Sequence, residues 1–87
     1  MVPRIAHAVP SPDLSVAIRW SDGRQSTVDL RPYASKGGVL APLADPAFFV
    51  GTMKVHWRGD SLSWEGDLDF SAEGLWADSR KEAEAAE

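Results

Sequence analysis

Cysteine is absent from the 87 residues, which excludes disulfide staples, thiol chemistry and every zinc site built on cysteine. Histidine occurs only twice, at His7 and His56. The two lie on different expected strands, and a metal site needs three or four ligands, so no metal is assigned. No apolar run approaches the ~20 residues of a membrane-spanning helix. The opening Met-Val-Pro-Arg lacks the apolar stretch of a secretory signal. Positive charge is also short: nine Lys and Arg against thirteen Asp and Glu leave a net charge of −4. That balance argues against direct contact with nucleic acid. What remains is a cytoplasmic chain of single-domain size, held by packing alone.

Apolar residues make up 44% of the chain, enough for one core. Leu14, Val16, Ile18 and Trp20 alternate with Ser15, Ala17 and Arg19, the period of a half-buried strand. Asp22-Gly23 then breaks the run before Val28 and Leu30 resume it. Asp-Gly between alternating runs marks a hairpin, and a type I′ turn is expected there. Before it, Arg4–Val9 reads as a strand that stops at Pro10. Ile5, His7 and Val9 share one of its faces, and the sequence leaves open whether His7 faces the core.

Residues 31–43 form a long connection through Pro32, Gly37-Gly38 and Pro42, tacked to the core by Tyr33, Val39, Leu40 and Leu43. Gly37-Gly38 lacks the following Lys-Ser/Thr of a phosphate loop and is a turn. Asp45-Pro46 opens a short helix, Pro46–Val50, with Asp45 as its N-cap and Gly51 as its end. Met53, Val55 and Trp57 then alternate toward Arg58-Gly59-Asp60, and Leu62 and Trp64 alternate on the way back. Arg58-Gly59-Asp60 spells an adhesion tripeptide, but glycine between charged residues is what a hairpin tip requires in any case. Leu68 and Phe70 return the chain to the core, and Ser71 caps a last helix. Residues 77–87 offer nothing larger than alanine to bury and read as an acidic, frayed helical tail on a compact unit of residues 1–76.

The expected fold is α+β: a hairpin-rich antiparallel sheet of about five strands with a short central helix and a C-terminal helix. Its strands are Arg4–Val9, Leu14–Trp20, Gln25–Leu30, Met53–Trp57 and Leu62–Trp64. No Ser-His-Asp grouping, cofactor motif or calcium loop can be assembled, so no catalytic, cofactor-binding or metal residue is expected. Contact residues are. Trp is enriched at interface hot spots, and one helix layer covers one sheet face fully, so at least one of Trp20, Trp57 and Trp64 is expected at a partner contact. Asp60, Glu65, Asp67 and Asp69 form an acidic run around the second hairpin. It is a solvated edge first and a docking surface for a basic partner second.

The order of elements resembles DUF2442, a small bacterial family of unknown function. The residues that carry the likeness are Pro3-Arg4-Ile5, Ile18-Arg19-Trp20-Ser21-Asp22-Gly23 and Val28-Asp29-Leu30. To these are added Gly38-Val39-Leu40-Ala41-Pro42-Leu43-Ala44-Asp45-Pro46-Ala47-Phe48-Phe49, Trp64, and the stretch from Asp69 to Leu75. Glu65-Gly66-Asp67 stands where the family usually has a Pro-Asn-Gly-like turn. The resemblance implies a compact α+β domain. Some members stand alone, some precede a helix-turn-helix domain, and some sit beside another tiny reading frame like toxin–antitoxin pairs. No catalytic motif belongs to the family, so no residue role is carried over.

Three functions follow as expectations. The leading one is a non-enzymatic interaction module, the antitoxin-like or regulatory member of a two-protein system, binding a protein partner or a second copy of itself. The next is an accessory domain of a transcription regulator that does not itself touch DNA. The last is a small ligand-binding protein or enzyme using the acidic hairpin end.

Overall fold

The structure is a computed structural model that describes residues 3–66 and 68–85, with side chains followed through Ser79. Asp67 lies outside the described residues. Six strands form two antiparallel sheets. Strands β1 (Ile5–Pro10), β2 (Ser15–Trp20) and β3 (Gln25–Asp29) make the first, in the order β1-β2-β3. Strands β4 (Lys54–Val55), β5 (Ser61–Trp64) and β6 (Leu68–Ser71) make the second, in the order β4-β5-β6. Between the sheets come α1 (Arg31–Ala34), a 3-10 segment over Gly38–Ala44, and α2 (Pro46–Thr52). Helix α3 (Ala72–Ala85) closes the chain.

The antiparallel α+β class stands as expected, while the single five-stranded sheet is replaced by two sheets of three. The sheets meet where the Ile5 N–H donates to the Gly59 carbonyl at 2.7 Å. Leu68–Ser71 is a true strand, in register with β5 through Trp64↔Leu68 and Leu62↔Phe70.

The first sheet buries Val16, Ile18, Trp20 and Val28 on its inner face. Its β2–β3 turn is not type I′. The Gly23 N–H donates to the Trp20 carbonyl at 3.0 Å and the Trp20 N–H to the Arg24 carbonyl at 2.8 Å, enclosing a three-residue loop. Only Gly23 (φ +91°) has a positive φ there; a type I′ turn needs two such residues. The β1–β2 loop repeats the pattern, with Leu14 N–H to the Ser11 carbonyl and Ser11 N–H to the Ser15 carbonyl. Here a leucine, Leu14 at φ +67°, holds the left-handed position.

A register shift between Ile5 and His7 settles the orientation of β1. Ile5 is buried against Trp20, whereas His7 is exposed on the outer face opposite Arg19. The outer face therefore carries two cross-strand rows, His7–Arg19–Gln25 and Val9–Ala17–Thr27.

Asp45 caps α2 by accepting from the Ala47 N–H at 3.0 Å. The helix continues through Gly51 to Thr52, one residue past its expected stop. Ser71 caps α3 by accepting from the Gly74 N–H at 3.1 Å. Leu75 (1% exposed) and Ser79 (8%) hold the first half of α3 to the core. The Tyr33 hydroxyl donates to the Asp78 carboxylate, which favours the neutral phenol and raises the Tyr33 pKa above 10.0.

Candidate functional site

The four tryptophans differ in exposure: Trp20 and Trp64 are buried, Trp76 is half-buried and Trp57 is exposed. Trp20 is 1% exposed and Trp64 3%. Each has a partner for its indole N–H: Trp20 donates to Ser26 Oγ at 2.7 Å, and Trp64 to the Phe49 carbonyl at 2.9 Å. Their faces are also covered. Trp76 meets Trp20 edge-on at a centroid distance of 5.1 Å, and Phe49 stacks on Trp64 at 5.3 Å. Buried indoles satisfied in this way are core residues. Trp20 and Trp64 are therefore corrected from contact candidates to core, because their strands point them inward.

Trp57 is 80% exposed. Alternation with Met53 and Val55 would place it inward, but β4 ends at Val55 and the chain turns away. The Arg58 guanidinium lies 4.5 Å from the Trp57 ring centroid, a cation–π contact that holds the ring without covering it.

The loop beneath this pair is tightly tied. His56 N–H donates to the Ser61 carbonyl (3.0 Å), Gly59 N–H to the His56 carbonyl (2.7 Å) and Ala72 N–H to the Asp60 carbonyl (2.8 Å). With the Ile5–Gly59 bond these fix the tip to β1, β5 and α3. Gly59 is required. Its φ is +72°, and a Cβ there would stand 2.5 Å from the Ile5 carbonyl oxygen. The Arg58-Gly59-Asp60 tripeptide is thus a structural turn with a buried glycine.

Side chains close the loop from within. His56 Nδ1 is 2.9 Å from Asp60 Oδ1 and 3.2 Å from the Arg58 backbone nitrogen. A protonated Nδ1 donates to the carboxylate; an unprotonated one accepts from the N–H. Asp60 is thus paired within the tip while its side chain stays exposed.

At the opposite end of the same hairpin is an open cleft of about 660 Å³ whose lining includes Thr52, Lys54, Ser63, Trp64, Glu65 and Asp69. Lys54, Ser63 and Asp69 form one cross-strand row on the outer face of the second sheet. Glu65 and Asp69 are exposed, and neither forms an ion pair among the described residues. The structure so brings Glu65 and Asp69 together, separates them from Asp60 along β5, and leaves Asp67 outside the described residues. Among the described residues no group of three His, Asp or Glu is placed to hold a metal ion, and no helix is long and apolar enough to cross a membrane.

Sequence reasoning passed over Lys54 and Arg58 as contact candidates. A flag for Arg58 was available in its adjacency to Trp57 at a turn, since Arg and Trp are both favoured at interface hot spots.

Comparison with known proteins follows the same lines. A family model described as "Protein of unknown function (DUF2442)" matches residues 5–81. Among solved structures, the crystal structure of a "putative DNA binding protein" from Nitrosomonas europaea is similar with a TM-score of 0.81 at 24% sequence identity. The alignment covers 94% of this chain and 52% of that one. At that identity the likeness carries the fold, and the chain spans about half the neighbour's length. Comparison with the curated proteins gives no match.

Proposed function

For this chain, which belongs to the DUF2442 family, we propose the role of a non-enzymatic protein-interaction module with Trp57 and Arg58 as its principal contacts. One observation carries the proposal: Trp57 is 80% exposed on a tip held by backbone bonds to three other elements. A large aromatic in water on a mobile loop has little meaning. On a rigid support it is pre-organised, so little conformational freedom is lost when a partner covers it. Trp and Arg are the side chains most enriched among interface hot spots.

The finer role is that of the regulatory or antitoxin-like half of a bacterial two-protein system in the cytoplasm, where a cysteine-free chain is at home. Pull-down from the native host with the full chain as bait tests it. The parent is expected to retain a protein that Trp57→Ala loses, with both baits melting alike. Equal retention by both would overturn the assignment of Trp57.

A second reading is favoured by the half-length match to a protein named for DNA binding. In it the chain is an accessory domain of a regulator and leaves DNA contact to another domain, in keeping with its net charge of −4. The Trp57 tip would then dock that other domain.

A further inference from the structure

The β4–β5 hairpin has two unlike ends. One end is the protruding Trp57 tip with the Arg58 guanidinium laid on it. The other is the open cleft of about 660 Å³ rimmed by Glu65 and Asp69, whose two carboxylates outnumber the one cation in its lining, Lys54. β5, four residues long, runs between them, so the ends lie roughly 10–15 Å apart. Arg58 has no acidic partner among the described residues, and neither Glu65 nor Asp69 has a basic one.

We infer that this hairpin is a self-complementary dimer interface, in which the Trp57–Arg58 tip of one copy enters the Glu65–Asp69 cleft of the other, and the reverse. The inference rests on the assignment of Trp57 as a contact residue and names its partner as a second copy of this chain. An acidic partner would satisfy the tip alone, and a basic partner the cleft alone. A second copy related by a two-fold axis through the middle of the hairpin satisfies both at once, because a two-fold axis exchanges the two ends.

Shape runs the same way as charge. The cleft's lining includes Gly51 and Gly66, which have no side chains to fill it, and the buried Trp64 and Leu68. An indole entering it meets a mixed lining, with Gly51 and Gly66 beside Thr52 and Ser63, while its stacked guanidinium reaches the carboxylates at the rim. The serines between the ends, Ser61 and Ser63, are small enough to let the two faces approach.

Sedimentation equilibrium of the full chain from micromolar to millimolar concentration tests the inference. The parent is expected to move from one chain toward two as concentration rises, less so at high salt. Trp57→Ala should weaken association about 30-fold. Arg58→Glu and Glu65→Arg should each weaken it about tenfold, the equivalent of one lost charged contact. R58E combined with E65R in one chain restores opposite charges across the interface and should recover most of the loss. The three substituted positions, Trp57, Arg58 and Glu65, are at the surface, and a melt of each variant matching the parent confirms folding.

A parent that stays monomeric throughout overturns the inference, as does association indifferent to Trp57→Ala and to the charge reversals. If the parent is monomeric while Trp57→Ala still loses a partner captured by the parent, only the choice of a second copy falls. If Trp57→Ala changes neither association nor capture, the assignment of Trp57 falls with it.

Discussion

Trp57 and Trp64 belong to one hairpin, and the structure treats them in opposite ways. Trp64 sits at the base, stacked on Phe49, edge-on to Phe70 at 5.7 Å, and bonded through its N–H to the Phe49 carbonyl. Trp57 sits at the tip, with the Arg58 guanidinium on its ring and the His56 ring tilted beside it at 5.8 Å, and its indole makes no hydrogen bond among the described residues. Residue type is the same, and both close a run of alternating apolar positions. What differs is where the ladder stops. β5 keeps its pleat through Trp64, so parity directs that ring inward. β4 lasts two residues, so parity has expired before Trp57 is reached. An indole that the fold does not need is the one left for a partner.

That contrast can be attacked at several points. Trp64→Ala and Trp20→Ala should each cost ~3–5 kcal/mol in chemical denaturation, the range for deleting a buried aromatic. That approaches the whole stability of a domain this small, so both variants should be largely unfolded.

Gly59→Ala strikes the tip through its support. A positive φ and a Cβ 2.5 Å from the Ile5 carbonyl force the backbone to move. A loss of ~2–3 kcal/mol is expected from left-handed strain and overpacking together. It should be read alongside partner capture, because a displaced tip should lose its partner even where the fold survives.

Tyr33→Phe acts at the edge of the core beside Trp64, where Tyr33 meets Phe70 edge-on at 5.1 Å. The ring stays, while the bond to Asp78 is lost at ~1 kcal/mol. Its pH dependence has a definite sign. Because the folded pKa lies above the ordinary 10.0, the contribution is present below pH 10.0 and fades as pH rises through the folded value. Parent and variant should therefore converge in stability in strong alkali and differ at neutrality. A constant difference across that range would mean the hydroxyl contributes by packing alone.

Trp57→Ala should change stability least, by under ~0.5 kcal/mol in the same denaturation series. A large loss would make Trp57 a structural residue after all.

Much of the fold was legible because local signals agreed with one another. The β2–β3 hairpin, the Asp45 cap and the Ser71 cap all rest on short-range chemistry that the tertiary fold had no reason to override. The failures share a cause as well. The turn at Gly23 depends on whether Asp22 also takes a positive φ, which composition does not dictate. α1 is a single turn begun across Arg31-Pro32, too short to leave a periodic pattern. Gly51 reads as a stop in the sequence, but it is tolerated inside α2, where the Thr52 hydroxyl donates back to the Phe48 carbonyl at 3.0 Å. His7 escaped because one register shift reverses the parity of everything after it. The site was legible only as a choice among three tryptophans. Deciding between them needed the length of β4, and the cleft at the other end of the hairpin needed three strands brought into register.

The most direct test of the central claim uses tryptophan's own fluorescence. Acrylamide quenching of the free protein should reveal one readily quenched component, absent from Trp57→Phe, beside a protected component from Trp20 and Trp64 and an intermediate one from half-buried Trp76. Addition of the partner, whether a captured protein or more of the chain itself, should abolish that component. A component that stays fully quenchable in the complex would contradict the claim that Trp57 is where this domain makes its contact.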